Sequence, residues 1–143
     1  MKKSLTITAL IISLGLGVNA QKLDASKVPA AVKESFAKKY PKVATVKWEL
    51  EKGNYEAGFK QDGQSMSVVF TPNGTMTESE VDIKTSELPA AALSYVKTNY
   101  KGKSVKEAAK ITKANGEINY EAEVDGKDVI FDANGKFLKV EAD

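Results

Sequence analysis

The residue types that carry out most protein chemistry are scarce in this chain of 143 residues, which contains no histidine and no cysteine. Their absence removes the commonest general base, the thiol nucleophile and the nitrogen and sulfur ligands of zinc, copper or haem. A Ser-His-Asp triad is therefore excluded. Composition does not exclude a Ser-Lys dyad, but no serine has a setting that distinguishes it from the others. We expect no catalytic residue, no metal ligand and no cofactor, so the protein is predicted not to be an enzyme.

Carboxylates are the remaining candidates, because paired acids can hydrolyse glycosides and oxygen ligands can hold calcium. The acids of the predicted strands alternate with apolar residues, which is typical of solvated strand faces; they are Glu49, Glu51, Glu56, Glu121 and Glu123. The segment Asp132-Ala133-Asn134-Gly135-Lys136 has glycine at its fourth position and lysine at its fifth. An EF-hand loop needs an oxygen ligand at the fifth position and glycine at the sixth, so we interpret the segment as a hairpin turn.

The elements that position these residues occur in two copies, offset by about sixty residues. Val28-Pro29-Ala30-Ala31-Val32 recurs as Leu88-Pro89-Ala90-Ala91-Ala92, Tyr55-Glu56-Ala57 as Tyr120-Glu121-Ala122, Asp62-Gly63 as Asp125-Gly126, and Asn73-Gly74 as Asn134-Gly135. Chance is a poor explanation for so many matches in the same order. The mature chain is therefore predicted to be a tandem repeat.

Each copy is predicted to begin with a helix. After Pro29, the residues Val32, Phe36 and Tyr40 fall on one helical face. The second copy repeats this pattern after Pro89, with Ala92, Val96 and Tyr100. A helix that binds a membrane surface or a partner groove would look similar. Strand patterns follow each helix at once, which favours packing of the helix on its own sheet.

Alternating segments after each helix predict antiparallel strands joined by Asp-Gly and Asn-Gly turns. The predicted fold class is α+β, with two tandem repeats of a helix followed by a β-meander, and with the helices packed on one side of the sheet. The predicted domains are 1–20 as a signal peptide, 21–84 as the first repeat and 85–143 as the second. A shift in parity between Met76 and Val81 predicts a bulge in the fourth strand of the first repeat, or an early end of that strand.

Three aromatic residues of the first copy are weak candidates for partner binding, namely Trp48, Tyr55 and Phe59. Tryptophan and tyrosine are enriched in binding hot spots. All three, however, lie on the side of their predicted strands that carries the other apolar residues, and this favours a place in the core. The second copy is predicted to have Ile111 or Ala109 near the position of Trp48, so the aromatic group belongs to the first copy alone.

The N-terminal segment has the layout of a secretory signal. Lys2 and Lys3 precede an apolar run from Leu5 to Val18, and small residues at Val18 and Ala20 predict cleavage between Ala20 and Gln21. An uncleaved N-terminal anchor is the alternative. With no cysteine there is no lipoprotein attachment site, so we expect a periplasmic or secreted protein without a membrane anchor.

The mature chain has no net charge. The full chain has 21 Lys and Arg against 19 Asp and Glu, and cleavage would remove Lys2 and Lys3. Every basic residue is lysine, whereas arginine is the usual reader of phosphates and bases. Nucleic acid is therefore not expected as a partner.

The signal peptide and the two copies of the helix, Tyr-Glu-Ala, Asp-Gly and Asn-Gly series resemble the PepSY-like proteins of bacterial envelopes, also described as beta-lactamase-inhibitor-like. The resemblance spans the mature chain. It implies a sheet covered by helices, with the bare face or the loops open to a partner. Members of the related inhibitor fold block an envelope hydrolase with loop residues, but no such motif can be placed on this sequence. Those inhibitors also have disulfides, which this chain lacks.

Our leading functional hypothesis is an exported, non-catalytic module that binds an envelope protein, and a sharper version of it is the inhibition of an envelope hydrolase. The alternative is an envelope protein that binds a small ligand or a peptide and has no protein target.

Overall fold

The computed structural model describes residues 21–142, which form two α-helices and nine β-strands. The helices are α1 (Ala30–Lys39) and α2 (Ala90–Asn99). The strands are β1 (Gln21–Leu23), β2 (Lys47–Glu51), β3 (Asn54–Gln61), β4 (Gln64–Phe70), β5 (Met76–Ile83), β6 (Val105–Lys113), β7 (Ile118–Val124), β8 (Lys127–Asp132) and β9 (Phe137–Ala142). A short 3-10 turn precedes each helix, at Ala25–Lys27 and Thr85–Glu87.

The nine strands form one antiparallel sheet in which the spatial order is the chain order. Helix α1 with β2–β5 and helix α2 with β6–β9 are the two repeats. Most neighbouring strands are joined by a short connection. The exceptions are β1 to β2 and β5 to β6, where the connecting segment contains a helix. The predicted α+β class and its tandem organisation are confirmed.

Both helices pack on the same face of the sheet, because their apolar residues meet the apolar residues of the strands there. In the first repeat Phe36 of α1 contacts Phe59 and Trp48, with ring centroids 5.1 Å and 5.6 Å apart. In the second repeat Val96 packs in a cluster with Val124 and Phe131. Complete burial of one such side chain contributes about 1.5–3 kcal/mol, so each buried residue of these two clusters stabilises the packing of its helix on the sheet.

The Asn-Gly turn of each repeat lies against its own helix. Gly74 has φ +84°, and a Cβ atom built there would lie 2.5 Å from the carbonyl oxygen of Ala31 in α1. Gly135 has φ +83°, and its Cβ atom would lie 2.8 Å from the backbone nitrogen of Ala92 in α2. Glycine is needed at both positions for its conformation and for its lack of a side chain.

Several details differ from the sequence-based expectations. Strand β1 was not predicted. The register shifts between β4 and β5, where Val69 pairs with Glu78 and Phe70 with Met76, so the predicted bulge is confirmed. Trp48 pairs with Ala57 as Ala108 pairs with Ala122, so the counterpart of Trp48 is Ala108. The assignment to Ile111 or Ala109 was wrong, because β6 has no clear alternation to fix its parity.

Two sequence-based expectations are left as predictions. The predicted signal peptide and Ala20 lie outside the described residues, and the repeat boundary between residues 84 and 85 is not tested. Neither helix in residues 21–142 combines the length and the apolar character that a bilayer crossing needs.

Candidate functional site

The sheet face opposite the helices, here called the acidic face, carries most of the carboxylates of the strands. Residues that pair across antiparallel strands share a face, so the register identifies its members. Its acids are Glu49, Glu51, Glu56, Glu78, Glu80, Asp82, Glu107, Glu121, Glu123, Asp128, Asp132 and Glu141. Its lysines are fewer, namely Lys22, Lys47, Lys60, Lys113 and Lys139. Lysines and acidic residues are equal in number over residues 21–143, so the excess of lysine lies on the helical side and in the connections.

The acidic face is strongly concave. Burial raises the pKa of Glu51 in β2, and the carboxylate of Glu141 in β9 adds to the rise. Six other strands separate β2 from β9, and in a flat sheet that separation would exceed about 30 Å. The two carboxylates can interact only because the sheet curls and brings its two ends together over this face.

The curl buries acids that the alternation predicted to be solvated. Glu121 is completely buried, Asp128 is 1% exposed and Glu141 is 6% exposed, although neither helix of residues 21–142 covers this face. The solvated interpretation is therefore wrong for Glu121, and Glu56 is half-buried rather than exposed. Glu141 forms an ion pair with Lys139.

The acidic face is filled in the second repeat and hollow in the first. Ala109, Ile111 and Ile130 are buried on the acidic face in the second repeat. In the first repeat a cavity of about 400 Å³, here called the acidic-face cavity, opens over β2–β5 and is walled on one side by residues 42–45. A cavity of this size falls in the range of small-ligand sites.

Strand residues from three neighbouring rows line the cavity. The middle row contains Lys47, Gly58, Ser67 and Glu80. Gly58 supplies no side chain, and a Cβ atom added there would meet the Lys47 carbonyl oxygen at 3.8 Å, an ordinary contact. The repeat aligns Gly58 with Glu123, so the second copy has a side chain where the first is hollow.

Burial and mutual repulsion perturb the carboxyl groups of this cavity. Burial raises the pKa of Glu56 to about 7, a hydrogen bond from Ser67 opposes the rise, and the carboxylates of Glu49, Glu51 and Glu78 add to it. Burial raises the pKa of Glu80 well above its ordinary value, and the carboxylates of Glu121 and Glu56 add to that rise. Glu56 can therefore exchange a proton near neutral pH, and both groups can accept hydrogen bonds from a cationic group.

Metal binding has little support in the described part of the chain. Among residues 21–142 no group of three or more acidic side chains is arranged to hold a metal ion. The Asp132 carboxylate accepts hydrogen bonds from the backbone N–H groups of Asn134 and Lys136, both at 2.9 Å. The segment 132–136 is thus a closed turn, as the sequence predicted.

The three aromatic candidates lie on the helical side of the sheet, and Trp48 and Tyr55 do not line the acidic-face cavity. Trp48 and Phe59 are both 7% exposed and belong to the core under α1, and Tyr55 packs against the same core. Phe59 also contributes to the cavity wall. Their role in partner binding is not tested by the fold and stays a prediction.

Comparison with known proteins agrees with the repeat and the fold. The model of a family described as "Putative beta-lactamase-inhibitor-like, PepSY-like" matches residues 17–78 and again residues 53–139. The chain belongs to this PepSY-like family. Its two matches correspond to the two repeats of the sheet. Among curated protein sequences, none matches the chain at a significant level.

Solved structures from Bacteroides species share the PepSY-like fold. A "putative periplasmic" protein from Bacteroides eggerthii has a TM-score of 0.72 and 21% identity, with 80% of this chain and 88% of that chain covered. A BLIP-like protein from Bacteroides fragilis has a TM-score of 0.60 and 26% identity, with 79% and 85% covered. The first of these similarities shows the fold alone.

Sequence reasoning missed Glu80, Asp82 and Gly58 as members of a site. Gly58 was the available signal, because a glycine inside a strand often marks a close approach or an open space. The asymmetry between Gly58 and Glu123 could have been read from the repeat alignment.

Proposed function

We propose that the mature chain is an exported, non-catalytic binding module of the bacterial envelope, and that it binds a protein partner on the acidic face of its first repeat. The observation that carries the proposal is the acidic-face cavity, a hollow of about 400 Å³ lined by Glu49, Glu56 and Glu80. Complementary charge steers association and selects partners, so the partner is expected to present a basic surface.

Export and the lack of catalysis are supported by separate observations. The N-terminal sequence has the layout of a signal peptide, and the Bacteroides eggerthii relative is described as "putative periplasmic". The chain has no histidine or cysteine. The family carries an inhibitor-like description rather than a catalytic one.

A finer proposal is that the partner is an envelope hydrolase and that binding inhibits it. The support is the beta-lactamase-inhibitor-like description of the family and the BLIP-like description of the Bacteroides fragilis relative. It predicts loss of the hydrolase's activity at near-equal stoichiometry.

A second candidate is the binding of a small ligand or a free peptide with no protein target. The size of the acidic-face cavity favours it, since about 400 Å³ is enough for a small molecule. Such a ligand would raise the thermal stability of the isolated protein.

The test is affinity capture with tagged residues 21–143 from an envelope and culture-supernatant extract of the source organism, read by mass spectrometry. The variant Glu49→Lys reverses a charge at the cavity, and Glu34→Lys makes the same change on the exposed side of α1. We expect one protein to be captured by the wild type and by Glu34→Lys, and to be lost with Glu49→Lys.

Equal capture by Glu49→Lys would contradict binding on the acidic face. Capture of nothing at several salt concentrations would contradict a protein partner and favour the small-ligand candidate. If the captured protein is a hydrolase, its activity is measured with and without added protein, and unchanged activity would refute inhibition.

A further inference from the structure

One carboxylate oxygen at the floor of the acidic-face cavity lacks a hydrogen-bond partner among residues 21–142. Glu80 is 4% exposed, and its Oε2 atom is buried without any donor from residues 21–142. Its cross-strand neighbour Ser67 and the next residue of the row, Gly58, both line the cavity. Buried polar atoms in folded proteins almost always have partners, so an exception that faces a cavity points to a group that binds there.

The charges around Glu80 indicate that the missing group is a cation. Carboxyl groups face it from three strands, namely Glu56 of β3, Asp82 and Glu78 of β5 and Glu121 of β7. The lysines that line the cavity, Lys42, Lys47 and Lys60, are exposed at its rim. A buried carboxylate without a counter-charge is costly, and an entering ammonium group would supply both the charge and the hydrogen-bond donors.

The walls of the cavity suit an aliphatic chain. The wall at residues 42–45 includes Val43 and Ala44, and Gly58 leaves the space above the floor open. Long amines bury their methylene stems on apolar surface while the charged head meets polar groups. Lysine has this form, whereas arginine presents a flat fork that suits two acceptor oxygens in one plane.

We infer that the acidic-face cavity receives the side chain of a lysine that protrudes from the protein partner, with the ammonium group bound by Glu80 and the stem packed beside Ala44 in the wall of residues 42–45. This inference rests on the proposed function and adds the chemistry of the partner's contact. A divalent metal ion fits less well, because no group of three acids among residues 21–142 is arranged around one position.

Binding of the ammonium group is coupled to protons. Burial raises the pKa of Glu56 to about 7, so part of its population is protonated near neutral pH, and burial and the neighbouring carboxylates also raise the pKa of Glu80. A bound ammonium favours the carboxylate form, and the displaced proton passes to the solvent. Binding is therefore expected to be weaker at pH 5.5 than at pH 8.

The test is a titration of residues 21–143 with Nα-acetyl-lysine N-methylamide, followed by amide chemical shifts in NMR. Nα-acetyl-norleucine N-methylamide has a similar stem without the charge and is the matched control ligand. We expect saturable shifts at residues 42–45 and at Gly58 and Ser67 with the lysine derivative, and none with the norleucine derivative.

Three variants locate the site. Glu80→Gln removes the charge at the floor, and Gly58→Leu fills the cavity without straining the backbone, so each is expected to weaken binding by about tenfold or more. Glu123→Gln changes an acid of the same face outside the cavity and is expected to bind as the wild type does. Thermal melts show whether each variant is folded. The two cavity variants weaken binding for different reasons, one by loss of a charge and the other by loss of space.

The remaining outcomes decide the inference. It would be overturned if the norleucine derivative bound equally well, or if Ca²⁺ or an arginine derivative bound more tightly. It would also be overturned if millimolar lysine derivative caused no shift, or if both cavity variants were folded and bound as the wild type does. Much tighter binding of 1,5-diaminopentane would make the source a free amine and overturn the partner lysine. If Gly58→Leu still captures the protein partner, the proposed function stands and the lysine contact is refuted. If the lysine derivative binds but no protein is captured, the ammonium site stands and the protein partner is refuted.

Discussion

The substitution Glu56→Gln should make the protein's stability less dependent on pH. Glu56 is held among carboxylates in the acidic-face cavity, and burial raises its pKa from 4.5 to about 7. Glutamine keeps the size of the side chain and a group that can hydrogen-bond Ser67, but it does not ionise. The variant therefore removes one titration and little else.

The magnitude follows from the pKa of the folded and unfolded states. Below pH 4.5 Glu56 is protonated in both states, and its neutral form is accommodated without cost. Between pH 4.5 and about 7 the unfolded chain loses the proton while the folded chain keeps it, so the free energy of unfolding falls as pH rises. A pKa raised from 4.5 to about 7 corresponds to a total loss of about 3 kcal/mol.

The assay is urea unfolding at pH 5, 6, 7 and 8, with the free energy of unfolding extrapolated to zero urea at each pH. The wild type is expected to lose about 2.5 kcal/mol more than Glu56→Gln does between pH 5 and pH 8, because part of the total loss occurs below pH 5. Glu34→Gln, an exposed substitution on α1, should keep the wild-type dependence on pH. Burial also raises the pKa of Glu80 and Glu78, so the variant is expected to keep part of the decline.

Equal declines in the wild type and in Glu56→Gln would refute this reasoning, and so would a wild type whose stability rises between pH 5 and pH 8. Either result would mean that Glu56 ionises in the folded protein as it does in the unfolded chain. The acidic face would then be open to water, and the curl inferred from the Glu51 and Glu141 carboxylates would be wrong.

Two further predictions concern the fold. Gly74→Ala should lower the free energy of unfolding by about 1–3 kcal/mol more than Gly63→Ala, measured by urea unfolding. Both glycines have positive φ, but of the two only Gly74 would bring a Cβ atom against the α1 backbone. Equal losses would contradict the packing of the Asn-Gly turn on α1. Trp48→Ala should lower the free energy of unfolding by about 3–5 kcal/mol, because the indole is a core group. The control Leu93→Ala, at an exposed position of α2, should change it by less than about 0.5 kcal/mol. If Trp48→Ala instead lost partner capture with unchanged stability, Trp48 would be a contact residue.

The sequence was sufficient to predict the fold class, because its signals are local. The positions of Pro29 and Pro89 located the helices, and the alternation around Trp48 located the face that packs on α1. The Asp-Gly and Asn-Gly turns fixed the strand order, since each short turn requires the next strand to be an antiparallel neighbour. The short strand β1 escaped prediction because three residues, Gln21–Leu23, are too few to show a period.

The site could not be predicted in the same way. Alternation assigns Glu56, Glu80 and Glu121 to the face away from the helices, but it does not say whether that face is flat or curled. Curvature depends on the accumulated twist of nine strands and on contacts between strands far apart in the sheet order. The interaction between Glu51 and Glu141 is such a contact, and no pattern within either strand encodes it.

The difference between the two repeats argues that the acidic-face cavity has a role in binding. The second repeat has acids at the positions aligned with Glu56 and Glu80, namely Glu121 and Glu141, and both are buried. It differs at other positions of this face, with Ala109 and Ile111 buried there and with Glu123 at the position aligned with Gly58. In the first repeat Gly58 leaves an open space beside Glu80, whose Oε2 atom is buried without a donor among residues 21–142. Because buried polar atoms are costly without partners, and because the open space belongs to the first repeat alone, a ligand in that space would offset a cost that the fold itself leaves in place.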